Sequence, residues 1–170
     1  MFMPIEEKAV LLTGANRGLG RALVDEALRR GAKRVYAASR RPMVVPDERV
    51  TRLILDVTDA AQIREAAERV ESLHVVINNA GVSVPDDLND RAAFERHFAV
   101  NLYGTLDVTR VFLPALVRSH GAVVNIVSLG AVAAVPVLPA YSVSKVSEFI
   151  DPEGCGDRLS AALSTPSGTS

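Results

Sequence analysis

Cysteine and net charge are both scarce in this chain of 170 residues, and each shortage excludes a class of protein. The single cysteine, Cys155, cannot form a disulfide within the chain, and no Cys/His spacing typical of a metal site is present. The net charge of −1 gives no electrostatic reason to bind nucleic acid or an anionic membrane. No apolar run reaches the roughly 18 residues of a membrane-spanning helix, and the first residues lack the pattern of a signal peptide. We therefore expect a soluble cytoplasmic protein with no nucleic-acid, membrane or metal partner.

The apolar residues that are present predict a layered α/β fold. They make up 48% of the chain, enough for the core of one domain. Short, nearly continuous apolar runs alternate with stretches of helical periodicity. Continuous runs indicate strands buried on both faces, so the pattern predicts a doubly wound parallel sheet. The predicted strands lie at 9–12, 34–38, 53–55, 75–77 and 123–127, with a helix capped by Asp59 and a long helical region at 90–119, kinked at Pro114.

A glycine-rich turn follows the first predicted strand. Its spacing is G-x-x-x-G-x-G, between a strand and a helix, where glycine lets the backbone approach a pyrophosphate. The helix N-terminus supplies N–H groups for the same anion. The alternative is a plain strand–helix turn. The residues that we assign to cofactor binding here are Thr13, Gly14, Asn16, Arg17, Gly18, Leu19 and Gly20.

The second strand ends without the acidic residue that would bind the ribose hydroxyls of NAD. Ser39 is followed by Arg40 and Arg41, and Arg17 adds a further positive charge beside the glycine turn. Guanidinium groups suit a phosphate, so these residues favour NADP over NAD. The alternative is that the arginines are solvated surface charges.

Two further segments follow strands, and in them we assign Asp56, Val57, Asn79, Ala80 and Gly81 to the cofactor. Asp56 and Val57 come after the third strand, and the run Asn78-Asn79-Ala80-Gly81 ends the fourth. Small residues allow close approach of a ligand, and amides can tie neighbouring strands together. The alternatives are an ordinary loop or helix-start aspartate and an ordinary turn.

A serine, a tyrosine and a lysine form the candidate catalytic group. Ser128 ends the fifth predicted strand, and Tyr141 and Lys145 are spaced i, i+4, on one face of a helix. A nearby ammonium stabilises a phenolate and brings a tyrosine closer to the range of acid–base work. A serine hydroxyl can donate to a carbonyl oxygen. Singly, each residue has an ordinary structural explanation. The histidines, His74, His97 and His120, share no pattern, and we expect structural or surface roles for them.

In this order, the motifs over residues 8–145 resemble those of the short-chain dehydrogenase/reductase family. The resemblance implies a Rossmann-type domain and an NADP(H)-dependent oxidoreductase that transfers hydride between nicotinamide and a small carbonyl or alcohol substrate. It implies that Tyr141 is the general acid or base, that Lys145 tunes it, and that Ser128 polarises the carbonyl. It also implies that Tyr141 and Lys145 contact the cofactor, with Lys145 holding the nicotinamide ribose. It further implies that Asn101 bends a helix and supports a proton relay, that Asp56 binds adenine, and that the chain can form a homo-oligomer.

The sequence departs from the family pattern after Lys145. About half of the residues from 146 to 170 are Gly, Pro, Ser or Thr, a composition typical of disorder, and no sixth strand is recognisable. We therefore predict an incomplete dinucleotide-binding and catalytic domain over 1–150 and a disordered tail outside the family pattern over 151–170, produced by a frameshift or a truncated transcript. We expect little activity from this chain alone. The alternative to an oxidoreductase is a non-catalytic remnant that binds nucleotide weakly or pairs with a full-length relative.

Overall fold

Five parallel strands form the sheet of the computed structural model, which describes residues 4–86, 89–133 and 137–147. The strand order is β3-β2-β1-β4-β5, so the direction of winding reverses between β1 and β4. This confirms the predicted doubly wound sheet, in which ligands bind at the reversal point. The strands are β1 (Ala9–Thr13), β2 (Arg34–Ser39), β3 (Val50–Ile54), β4 (Val75–Asn78) and β5 (Ala122–Asn125).

The centre of the sheet is buried on both faces. Along β1, Val10 and Leu12 pack in one core cluster with Val24, whereas Leu11 packs in a second cluster with Ile63 and Phe112. Successive strand residues point to opposite faces, so an unbroken apolar run supplies both clusters at once. The two edge strands of the described sheet differ from this expectation, because Ile54 of β3 and Val124 of β5 are about half exposed.

The flanking helices follow the predicted signals in most places. Asp59 caps a helix by accepting hydrogen bonds from Ala61 N and Gln62 N, and Gly31 ends another with a φ of +78°. The helices are α1 (Gly18–Arg29), α2 (Ala60–Glu68), α3 (Arg91–His97), α4 (Thr105–Ser119) and α5 (Pro139–Ser147). No helix in the described ranges is long and apolar enough to cross a bilayer.

The long helical region departs from α-helical geometry at a different place from the one predicted. The π-helical segment Phe98–Gly104 separates α3 from α4, whereas the α-helical pattern of α4 continues through Pro114. π-helical turns in longer helices are frequent at functional sites. Asn101 lies in the middle of this segment.

The sequence-based boundary of the fifth strand was wrong at its carboxyl end. β5 ends at Asn125, and Ser128 instead caps the short 3₁₀ helix Leu129–Ala131. Ser128 Oγ accepts a hydrogen bond from Gly130 N at 3.1 Å. α5 begins at Pro139, a residue suited to a first helical position. The predicted tail, 151–170, and the predicted end of the Tyr141 helix near residue 150 lie outside the described residues.

Candidate functional site

The glycine turn at the end of β1 has the backbone geometry that its sequence predicts. Gly14 and Gly18 have φ values of +67° and +52°, which disfavour any side chain. A Cβ at Gly20 would overlap the Gly14 carbonyl oxygen, so this glycine lets α1 start directly on the turn. A Cβ at Gly18 would meet nothing within 4 Å. Gly18 therefore borders open space at the N-terminus of α1.

Thr13 and Asn79 join the ends of β1 and β4. Thr13 Oγ1 accepts hydrogen bonds from the backbone N–H groups of Asn79 and Ala80, both at 3.0 Å. The Asn79 side chain donates to the carbonyl oxygens of Thr13 and Gly14 at 3.0 and 3.2 Å. The strands therefore meet with fixed geometry at the reversal point of the sheet. Thr13 itself is buried, so its contribution is to hold this turn.

A cleft of about 630 Å³ lies over this edge of the sheet. Its volume falls within the range usual for small-molecule and cofactor sites. With the exception of Thr13, Tyr141 and Lys145, every residue assigned to the cofactor from sequence lines it. The lining comprises Gly14, Asn16, Arg17, Gly18, Leu19, Gly20, Ser39, Arg40, Arg41, Leu55, Asp56, Val57, Asn79, Ala80, Gly81, Val82 and Val100.

The side of the cleft at the end of β2 is positively charged. Arg17, Arg40 and Arg41 are all exposed there. The Ser39 hydroxyl donates to the Arg41 carbonyl at 2.6 Å, which shapes the backbone that carries the two arginines. Asp56 Oδ1 accepts from Thr58 N and Thr58 Oγ1, so this carboxylate is held in place by its own loop.

Tyr141 and Ser128 meet around Gly130. A Cβ at Gly130 would lie 3.4 Å from Tyr141 Cε1 and 3.5 Å from Ser128 Oγ. Ser128 Oγ accepts from Gly130 N, so its own hydroxyl hydrogen can still be donated to another group. The structure thus places the Tyr141 ring and the Ser128 hydroxyl against the same glycine, although Ser128 lies in the loop after β5 rather than in the strand.

Asn101 and Lys145 meet around a second glycine, Gly81. A Cβ at Gly81 would lie 3.4 Å from Asn101 Oδ1 and 3.8 Å from Lys145 Nζ. Lys145 is only 6% exposed, and its Nζ donates to Ile126 O at 3.3 Å. Because Ile126 precedes Ser128 by two residues and Tyr141 is on the same helix as Lys145, the groups around Gly81 and Gly130 are adjacent parts of one site.

Two residues that the sequence did not single out support this arrangement. Ser144, fully buried, accepts from Asn101 Nδ2 at 2.9 Å and donates to Tyr141 O at 2.8 Å. A Cβ at Gly104 would come within 2.6 Å of Val57 Cγ2, so this glycine lets the π-helical segment pack on a cleft residue. The serines at 142 and 144, and the glycine three residues after Asn101, are local signals that could have identified them.

Comparison with known proteins agrees with this geometry. The family model described as short chain dehydrogenase matches residues 8–148. Estradiol 17-beta-dehydrogenase 2 of Rattus norvegicus is 34% identical over 163 residues, covering 86% of this chain and 42% of that protein. Retinol dehydrogenase 12 of Mus musculus is 37% identical over 141 residues, covering 74% of this chain and 44% of that protein. The chain thus spans less than half the length of these two relatives.

Solved structures show the same similarity. A short chain dehydrogenase from Burkholderia cenocepacia J2315, in complex with NADP, superposes with a TM-score of 0.88 at 35% identity, covering 94% of this chain and 69% of that one. A short-chain dehydrogenase from Streptomyces avermitilis gives a TM-score of 0.82 at 29% identity, covering 92% and 62% of the two chains. With its glycine turn, cleft and Ser128/Tyr141/Lys145 group in place, the chain belongs to the short-chain dehydrogenase family.

Proposed function

We propose that this chain provides the cofactor-binding and catalytic residues of an NADP(H)-dependent oxidoreductase that interconverts a small carbonyl compound and its alcohol. The observation that carries the proposal is that Tyr141 and Ser128 both contact the space around Gly130. Lys145 and Asn101 lie next to them, around Gly81. These groups lie at the same edge of the sheet as the glycine-lined cleft. The relatives named dehydrogenases and the neighbour solved with NADP support the same reading.

The cleft fits a dinucleotide with a 2′-phosphate. The open space at Gly18 and the N-terminus of α1 suit a pyrophosphate, since backbone N–H groups and the helix dipole both favour an anion there. Arg40 and Arg41, with Arg17 nearby, suit the additional phosphate of NADP, and Asp56 would bind the adenine. When bound, the cofactor supplies or accepts the hydride through its nicotinamide ring.

Four side chains of this protein take part in proton transfer and in binding the substrate oxygen. Tyr141 Oη donates a proton to the oxygen during reduction and removes it during oxidation. Ser128 Oγ donates a hydrogen bond to that oxygen as negative charge develops on it. Lys145, one helical turn from Tyr141, would bring its positive charge to the proton-transfer site and would hold the nicotinamide ribose. Asn101 ties α5 to the loop after β4 and so supports the proton relay.

Loss of NADPH absorbance with a panel of aldehydes and ketones tests the proposal, with Tyr141→Phe and Tyr103→Phe as a matched pair. Tyr103 lies on the exposed side of the π-helical segment, away from the cleft lining. We expect carbonyl-dependent turnover below the usual enzyme range of about 1–10³ s⁻¹. Tyr141→Phe should lower this turnover by about 10²-fold or more while leaving NADPH binding intact, and Tyr103→Phe should not change it. NADPH binding with no turnover for any carbonyl would instead favour a nucleotide-binding remnant without catalysis.

A further inference from the structure

His97 is completely buried at the end of α3, and both of its ring nitrogens are occupied. Nε2 lies 3.1 Å from the backbone N of Val84, and Nδ1 lies 2.8 Å from the carbonyl oxygen of Ala93. A backbone N–H can only donate, so Nε2 must be the acceptor and Nδ1 must carry the proton. The two contacts therefore define one tautomer of His97, because a proton on Nε2 would face the Val84 N–H.

The loop after β4 is held at alternate residues by one side of the α3–π-helical segment. His97 accepts from Val84 N, and Asn101, one turn later, bonds both the N–H and the carbonyl of Val82 at 2.8 and 3.0 Å. Residues spaced i, i+4 share a helix face, and residues spaced i, i+2 share one side of an extended segment. The spacing of His97 and Asn101 on the helix therefore matches the spacing of Val84 and Val82 in the loop, so the loop lies in a fixed register against the helix.

The same helix face contacts α5, which carries Tyr141. The rings of His97 and Tyr141 pack edge to face, with centroids 6.0 Å apart and planes inclined by 61°, within the range of favourable ring pairs. One turn later, Asn101 bonds Ser144 of α5. The loop adds a further link, because both oxygens of Asp86 lie 3.2 Å from the backbone N of Ala140 in the first turn of α5. His97 thus reaches Tyr141 directly through its ring and indirectly through the loop.

We infer that His97 is a positioning residue that holds the Tyr141 phenol in a single orientation at the substrate. This inference rests on the proposed role of Tyr141 as the proton donor. The ring of His97 limits the movement of the Tyr141 ring, and its two hydrogen bonds prevent the imidazole itself from turning. Proton transfer depends on such placement, since misplacement by about 1 Å costs on the order of 10²-fold in rate.

The test is carbon NMR of the tyrosine Cζ atoms, which suits a chain with only 3 tyrosines and no tryptophan. Tyr141→Phe assigns the resonance. We expect one narrow Tyr141 signal in the unaltered chain and a split or exchange-broadened signal in His97→Gln. This substitution removes the ring but keeps an amide oxygen that can accept from Val84 N–H, so that the loop stays attached. The matched control is His74→Gln, a histidine whose Nδ1 accepts from Ala9 N at 3.2 Å at the opposite end of the sheet, and it should leave the Tyr141 signal unchanged.

A measurement on the unaltered chain removes any dependence on how the variants fold. Imidazole ¹⁵N shifts should show His97 protonated on Nδ1 and unprotonated on Nε2 at neutral pH, and the opposite tautomer or a charged ring would overturn the inference. A Tyr141 signal equally narrow in His97→Gln would overturn it too.

NADPH titration distinguishes a failure of this inference from a failure of the proposed function. Absence of NADPH binding would refute the function while the Tyr141 signals still decide the role of His97. Where turnover is measurable, His97→Gln should lower kcat by about tenfold or more with an unchanged Kd for NADPH.

Discussion

At the scale of single residues, the glycines of the turn have different physical reasons to be glycine. Gly20 is required by packing, because a Cβ there would overlap the Gly14 carbonyl oxygen. Gly18 has a positive φ and open space beside it, so the space rather than the packing supports its proposed place at the pyrophosphate. The sequence shows only the spacing of these glycines and cannot separate the two reasons.

Gly18→Val should abolish NADPH binding. The branched side chain would project into the space proposed for the pyrophosphate, and the left-handed backbone would cost about 1–2 kcal/mol of stability in addition. Gly31→Val is the matched control, since Gly31 has a φ of +78° and ends α1 far from the cleft lining. Fluorescence titration with NADPH should show no binding for the first variant and ordinary binding for the second. Ordinary affinity in Gly18→Val would mean that the loop is only a turn.

His74 should make the stability of the domain depend on pH. Burial, and after it the positive charges of Lys8 and Lys33, lower the pKa of this imidazole below its usual value of 6.5. As the pH falls below that value, the unfolded chain takes up a proton that the folded chain resists, so the free energy of unfolding decreases. The stability that neutral His74 contributes is therefore fully present at pH values above the usual pKa. It is lost as the pH falls from the usual pKa towards the lowered pKa of the folded chain.

Urea unfolding at about pH 7.5 and about pH 5.5 measures this effect, since a histidine changes charge between these values. The free energy of unfolding should fall more between the two pH values in the unaltered chain than in His74→Gln, which retains an acceptor for Ala9 N–H. An equal fall in both proteins would show that His74 is not the group responsible.

At the scale of elements, the helix between α3 and α4 shows what sequence patterns could predict. The long helical region was expected, and so was a disturbance of it near Asn101, through the family resemblance. Its π-helical geometry and its packing on Val57 were not, because they depend on which atoms of another element lie opposite Gly104. The boundary of β5 was misplaced for a related reason. Apolar residues continue to Val127, but the ladder with β4 ends at Asn125.

Gly104→Ala should destabilise the domain and weaken cofactor binding together. The added Cβ would lie 2.6 Å from Val57 Cγ2 and 3.2 Å from Val57 O, so the helix or the cleft wall must move. Crowding of this kind costs about 1–3 kcal/mol. Thermal unfolding and NADPH titration measure the two effects. The double variant Gly104→Ala/Val57→Ala should recover part of both losses, because it removes the atom in closest contact. An undiminished Tm in Gly104→Ala would contradict the packing described.

At the scale of the whole molecule, parallel strand order explains why so much of the site could be predicted. The carboxyl ends of β1, β2 and β4 lie along one edge, so motifs that are far apart in sequence line a common cleft. Strand runs and turn motifs were sufficient to find this cleft. The role of His97 was not predictable, because its contacts with Tyr141 of α5 and with the loop after β4 leave no local pattern in the sequence.

The central claim is that this cleft binds NADP(H), and the ratio of affinities for NADPH and NADH tests it most directly. Fluorescence titration of both cofactors should show NADPH bound at least about tenfold more tightly, since a well-formed charge-assisted contact contributes roughly 1.5–3 kcal/mol. Arg40→Ala/Arg41→Ala should remove most of the preference. Arg91→Ala, an exposed arginine on α3 outside the cleft lining, should preserve it. Equal affinities, a preference for NADH, or a preference that survives the double substitution would contradict the account.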